Sequence, residues 1–125
     1  MPRTSKASIK SVDHGLVEDS STELDGYTVN FVTFKQACDM TPLLKGLPGD
    51  SCQCPHWGVL VKGRITIRYD NREEEVVEAG DVFYMSPGHV PVFENGSEII
   101  QFSPAADLAR TDEAIMRNMQ ALQGA

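Results

Sequence analysis

The sequence predicts an all-β domain, an antiparallel sandwich or barrel followed by one C-terminal α-helix. Between Trp57 and Ser103, short runs rich in Val, Ile, Phe and Tyr follow one another, each closed by a turn signal. The breaks are Gly63, Asp70-Asn71-Arg72, Ala79-Gly80, Pro87-Gly88 and Asn95-Gly96, a punctuation that suits an antiparallel sandwich or barrel. After Ser103 the apolar period lengthens to that of a helix.

Taken in order, Met1 to Ser8 is polar and aperiodic and reads as a frayed terminus. From Gly26, Tyr27, Val29 and Phe31 alternate with Thr28, Asn30 and Thr33, while Val32 and Phe34 add apolar bulk to the second face. This is a strand covered on both sides. Ala37 to Asp50 holds Pro42, Pro48, Gly46 and Gly49 around a Leu43-Leu44 pair, an irregular connection pinned to the core by its leucines. Trp57 to Lys62, Arg64 to Tyr69, Glu73 to Glu78, Asp81 to Ser86, Val90 to Glu94 and Glu98 to Ser103 are the strands of the patterned middle. In the second of them Arg64, Thr66 and Arg68 alternate with Ile65, Ile67 and Tyr69, giving one wet and one dry face. Asn95-Gly96 supplies the positive φ that a tight hairpin needs. Ser103 is placed to cap a helix with Pro104 in its first position and Asp107 in its first turn. Leu108, Ile115, Met119 and Leu122 then recur at spacings of seven, four and three, one apolar stripe on a helix ending near Gly124. That stripe needs a surface, either the outside of the sheet or a second subunit.

At 125 residues and 41% hydrophobic content the chain is one domain, large enough to hold a core without disulfides. The division expected is a single domain over 1–125, with a barrel over 26–103 and the helix over 104–123. Eleven Lys and Arg against 18 Asp and Glu leave a charge of -7, the wrong field for nucleic acid or an anionic membrane. No run approaches the roughly 18 apolar residues that span a bilayer. The first ten residues lack the apolar stretch of a signal peptide, so the expectation is a cytoplasmic protein. Three cysteines, two of them at Cys52 and Cys54, read as thiols or ligands rather than a disulfide framework.

The chemistry concentrates around His56 and His89. His14 lies in a polar stretch and reads as an exposed titrating side chain. Cys52, Cys54 and His56 would share one face of an extended strand, although Pro55 favours a bend that breaks the alignment. A Cys-x-Cys-x-His run combines soft sulfur with imidazole, which suits zinc or another late first-row metal, and His89 is the remaining donor. The bland alternative is a buried cysteine acting as a small hydrophobe and a histidine bonded to a backbone carbonyl.

The stretch Gly49-Asp50-Ser51-Cys52-Gln53-Cys54-Pro55-His56-Trp57-Gly58-Val59-Leu60-Val61-Lys62-Gly63 resembles the first cupin motif, G-x5-H-x-H-x3-E-x6-G. Gly80-Asp81-Val82-Phe83-Tyr84-Met85-Ser86-Pro87-Gly88-His89-Val90-Pro91-Val92-Phe93-Glu94-Asn95 resembles the second, G-x5-P-x-G-x2-H-x3-N. The resemblance implies a cupin double-stranded β-helix, a jelly-roll barrel, and with it a homodimer. Its usual three-His, one-Glu iron or manganese site does not carry over. The motif positions hold Asp50, Cys52 and His56, and the last histidine is replaced by Pro91. Cys54 and His89 stand beside this variant set, and His89 shares strand parity with Pro91. His56-x-Gly58 with Pro87-Gly88-His89 is similar to a subgroup of small bacterial cupins with a paired histidine.

The function expected is a barrel pocket for a small molecule, with a divalent metal (zinc, iron, manganese or nickel) held by Cys52, Cys54, His56 and His89. His56 and His89 would face each other as the catalytic pair. Two alternatives stand beside it: a metal-dependent isomerase, lyase or dioxygenase with an open ligand position, and a closed four-ligand structural zinc without catalysis. Trp57, Val59 and Val61 oppose His56 in parity, so they face outwards and call for a cover from the helix or a second subunit. Glu73 to Glu75, with Glu78 and Asp81, reads as a solvated hairpin face. Phe83, Met85 and Phe102 read as core.

Overall fold

The computed structural model describes residues 3–123, the side chain of Gln123 excepted, so the predicted helix end at Gly124 lies outside the described residues. The described strands are β1 (Val12–Asp13), β2 (Val17–Leu24), β3 (Tyr27–Phe34), β4 (Cys38–Asp39), β5 (His56–Lys62), β6 (Arg64–Tyr69), β7 (Glu74–Glu78), β8 (Val82–Met85), β9 (His89–Phe93) and β10 (Glu98–Pro104). They precede the helix α1 (Ala105–Gln123). One sheet has the order β1-β2-β3-β10-β5-β8 and the other β4-β9-β6-β7, and the paired strands run antiparallel.

Alternation sets the faces. Ile65 and Ile67 of β6, Phe83 and Met85 of β8, and Phe93 of β9 point between the sheets and join Leu60 and Ile99 in one core. Phe34 and Phe93 stack across it, ring centroids 3.8 Å apart and planes at 13°. Leu43 and Leu44 are buried as the sequence implies, and Glu73 to Glu75 are exposed. Phe102 differs from the core reading, since its odd neighbours on β10 face inwards and it lies on the outer surface.

Only the β6–β7 link, through Asp70-Asn71-Arg72, makes the hairpin expected in the patterned middle. Asn95-Gly96 does not, because β9 and β10 belong to different sheets and the turn carries the chain from one to the other. Gly63 performs the same crossing between β5 and β6 with φ +91°, and a Cβ there would overlap the Ser97 hydroxyl. Ser97 is itself enclosed, its hydroxyl donating to Glu94 O at 2.7 Å.

β2 is the strand that hydropathy does not disclose. Val17-Glu18-Asp19-Ser20-Ser21-Thr22-Glu23-Leu24 has no apolar alternation, yet all eight residues pair with β3. The Asp25-Gly26 turn, with φ 49° and 86°, is the two-residue connection that forces this register.

The helix starts at Ala105, and Pro104 is the last residue of β10 rather than the first of the helix. Ser103 does not cap it, because its hydroxyl turns inwards to His56. The stripe does not cover the outside of a sheet; it lies against the core between the two sheets. Leu108 is buried, and Ile115 and Met119 pack on the barrel core across its open end, whereas Leu122 is exposed. Asn118 anchors the helix there, its Nδ2 donating to Leu43 O and Lys45 O at 2.8 and 2.9 Å.

Candidate metal centre and its cavity

His56 opens β5 immediately after Pro55, and its even parity turns the ring into the barrel opposite Met85. His89 opens β9 with the same inward parity as Pro91 and Phe93. Cys52 reaches them because its backbone is bridged to His89 out of strand order: Cys52 N–H donates to His89 O at 2.9 Å, and Gly88 N–H to Cys52 O at 2.8 Å. The Gly88 turn that permits this has φ +92° and packs against Asp70, where any Cβ would meet Oδ2 at 2.7 Å.

Cys52 Sγ, His56 and His89 ring nitrogens thus converge, their ligand atoms all within 4.8 Å of one another. All three are buried, His89 completely. The imidazole rings stand 5.1 Å apart at 67°. His89 Nδ1 lies 2.6 Å from Ser86 O, and since a carbonyl only accepts, Nδ1 carries the proton and Nε2 keeps its lone pair. That Nε2 is buried without a hydrogen-bond partner. His56 Nδ1 lies 2.6 Å from the Ser103 hydroxyl, and His56 Nε2 lies 3.5 Å from Cys52 Sγ. Cys52 Sγ has Thr111 Oγ1 at 3.6 Å on its other side.

Electrostatics follow from burial. Desolvation, reinforced by the neighbouring His89, pulls His56 down to about 3. Desolvation also lowers His89, against the opposing pull of the Ser86 carbonyl, so both rings are neutral near pH 7. Burial pushes the Cys52 thiol up, with the Thr111 hydroxyl opposing.

Cys54 and Asp50 are not brought into this group. Pro55 bends the chain as the sequence suggests, and Cys54 Sγ faces the opposite edge of the His56 ring, 4.0 Å from Nδ1 and 3.4 Å from Pro55 O. It packs with Leu44 and Leu108 in a small core, and burial lifts its thiol to about 12. Asp50 is exposed and accepts from Gly46 N–H at 3.0 Å.

The group lines a cavity of about 160 Å³ between the sheets and α1, walled mainly by apolar side chains such as Val32, Phe34 and Leu43. Asp19, Asn30, Thr111 and Asp112 also line it, and the sequence reading missed all four. Asn30 stands among the polar residues of a strand expected to be covered on both sides, which gave it no functional signal, and Asp19 lies in a strand without hydrophobic signal. Thr111 and Asp112 come from a helix whose apolar stripe drew attention elsewhere. Ser86 and Ser103 carried no signal either, since a hydroxyl or carbonyl behind a ligand has no characteristic spacing.

No protein-family model and no curated protein matches the chain. Solved structures do. An RmlC-like cupin from Shewanella frigidimarina superposes with TM-score 0.56 at 16% identity, over 81% of this chain and 88% of that one. The polyketide cyclase RemF from Streptomyces resistomycificus gives 0.57 at 11%, over 83% and 79%. The iron(II) form of HppE gives 0.57 at 9%, over 82% of this chain and 60% of its own. With two facing antiparallel sheets, inward residues at the expected barrel positions and this likeness in three dimensions, the chain has the cupin fold.

Proposed function

We propose that this barrel is a small-molecule pocket built on a divalent metal centre, with Cys52, His56 and His89 as the ligands. The observation that carries the reading is His89 Nε2, a buried lone pair without a partner, pointed at the same space as His56 and Cys52. The groups behind the ligands suit it as well: Ser86 O fixes the tautomer of His89, and Ser103 Oγ orients His56. One thiolate and two imidazoles select zinc, iron, nickel or another late first-row ion over magnesium or calcium. HppE, a neighbour in fold, is seen in an iron(II) form.

Such an ion would supply a Lewis acid beside the cavity. The chain supplies the rest: apolar walls that exclude water, His89 Nε2 held as an acceptor by the Ser86 carbonyl behind it, and a neutral His56 ring oriented by Ser103. Three donors are one short of a closed structural zinc site, and Cys54, the residue that would complete it, faces away. The pocket reading therefore stands ahead of the structural one.

The deciding measurement is elemental analysis of protein purified without added metal or chelator, beside His56→Ala and His89→Ala. Near-stoichiometric metal in the wild type that disappears from both variants is the expected result. Absence of metal after incubation with zinc, iron, manganese, nickel and copper would overturn the reading.

A second copy of the chain is the partner that suits the outer face of the larger sheet. Tyr27, Phe102, Trp57 and Tyr84 form an aromatic row across β3, β10, β5 and β8, with Trp57 42% exposed and 5.0 Å from Tyr84. Light scattering on the wild type should give the mass of a dimer and on Trp57→Glu that of a monomer; a monomeric wild type would sink this assignment. Three free, buried thiols accord with a reducing compartment such as the cytoplasm. No described helix is long and apolar enough to cross a membrane.

A further inference from the structure

The cavity has a second polar part that the metal ligands do not use. Asp19 of β2, Asn30 of β3 and Asp112 of α1 all line it. Asn30 is 94% buried by its 6% exposure, and its Nδ2 donates to both carboxylate oxygens of Asp19 at 3.0 and 3.2 Å. That contact fixes the amide, since reversing it would set oxygen against carboxylate. The consequence is an Oδ1 that is buried and without a partner. An acceptor buried in this state is costly to the fold, so the site suits a donor that comes from outside the chain.

Among Asp19, Asn30 and Asp112 every free valence is an acceptor, two carboxylates and one amide oxygen, while Gln101, in register with Asn30 on β10, adds a side-chain amide to the same cavity. We propose that the cavity takes a small primary amine as its ammonium ion. The cation is held by Asp19, Asp112 and Asn30 Oδ1, and an apolar body of about the size of benzene lies against Val32 and Phe34. This deepens the pocket reading and rests on it for the occupant being a small molecule, although not for the metal. An ammonium presents three donors to three acceptor groups, which a neutral alcohol or a carboxylate does not. The size follows from the volume, about 160 Å³, close to the roughly 150 Å³ engineered cavity that holds benzene.

The charges agree. Asp112 is an exposed residue at the edge of the cavity, yet desolvation of its carboxyl against the cavity wall, together with the neighbouring charge of Asp19, lifts it to about 6. Burial likewise raises Asp19, against the Asn30 hydrogen bond. The charge of half-buried His14 opposes the rise at both. Two carboxylates crowded at one cavity wall repel each other, and a cation between them relieves both. A net charge of -7 draws cations to the chain in the first place.

The test is calorimetric titration of benzylamine, benzyl alcohol and benzoate into metal-free and metal-loaded protein. It is repeated on Asp112→Asn, Asp19→Asn, the double variant and His89→Ala, with thermal melts confirming that each folds. The expected result is that benzylamine binds metal-free wild type at least about tenfold more tightly than benzyl alcohol, with benzoate weakest. That preference should collapse in the double variant while benzyl alcohol binding stays, and should persist in His89→Ala. Failure of all three probes to bind, equal binding of amine and alcohol, or a preference that survives the double variant would overturn the proposal. So would a preference seen only with metal and abolished by His89→Ala, because the amine would then be a metal ligand. Loss of the metal reading, by contrast, shows as absence of metal uptake and leaves the metal-free titrations intact.

Discussion

His56 and His89 meet edge to face, ring centroids 5.1 Å apart, each with its Nδ1 held from behind at 2.6 Å by a serine oxygen. Residues 33 positions apart acquire this relation because β5 and β9 start at the same end of the barrel with inward parity. Two neutral rings with fixed rear edges can only present their other nitrogens to a third group.

The two neighbouring thiols should behave differently. Cys52 Sγ faces Nε2 of His56 and Cys54 Sγ faces Nδ1, so Cys52→Ser should cost metal and Cys54→Ala should not. Cobalt-loaded protein should show a sulfur-to-metal charge-transfer band that Cys52→Ser removes and Cys54→Ala preserves. Retention of the band in Cys52→Ser would show that the wrong sulfur has been assigned.

Ser103→Ala tests the support behind His56. The substitution removes the 2.6 Å partner of Nδ1 without touching a ligand. Metal affinity should drop about 10- to 100-fold, measured by competition with a chromogenic chelator. An unchanged affinity would mean that Ser103 serves only the packing of β10.

Proton release follows from the charge states. Both imidazoles are held below their ordinary range and the Cys52 thiol above its own, so near pH 7 the thiol alone must give up a proton to bind metal. Affinity should therefore fall about tenfold per unit as pH is lowered from 7 to 6. Calorimetry in buffers of different ionisation enthalpy should count about one proton; a count near zero or three would contradict these charge states.

Asp112 gives a stability test of the opposite sign from a salt-bridged carboxylate. Its folded value, about 6, lies above the ordinary 3.8, so ionising it costs more in the folded chain than in the unfolded one. The penalty is small below pH 4, grows as pH rises through about 6 and is complete above it. Asp112→Asn should raise the melting temperature at pH 7.5 and hardly change it at pH 4. An equal gain at both would place the effect elsewhere.

Gly63→Ala should destabilise the fold. The position combines φ +91° with a Cβ that would overlap the Ser97 hydroxyl. A loss of about 2 kcal/mol or more is expected in urea melts, partly restored by adding Ser97→Gly, which removes the hydroxyl and Cβ and leaves the Ser97 Cα 2.7 Å away. Additive losses in the double variant would show that Ser97 is not the obstacle.

The strands from β5 to β10 were legible to within a residue or two because period-two alternation and turn residues are local properties. β2 was not, since its pairing comes from the Asp25-Gly26 turn and its neighbour β3 rather than from apolar residues. The Asn95-Gly96 turn shows a related limit: the dipeptide specifies positive φ at Gly96 but not which sheet receives the next strand. Ser103-Pro104 looked like a helix start because both residues favour it, and β10 pairing with β3 overrode that preference up to Pro104.

By itself the sequence determined the all-β class, the inward parity of His56 and His89, and the outward turn of Trp57, all of which depend on short-range backbone geometry. The tertiary structure decided which sulfur joins the histidines, since the Cys52–His89 bridge lies outside regular strand pairing and Pro55 sends Cys54 the other way. It also decided where α1 lies, and so brought Asp112 to the cavity wall with Asp19 and Asn30. Three polar residues far apart in the chain have no shared spacing to read. Their meeting is a property of the closed barrel, and so is the bare oxygen of Asn30.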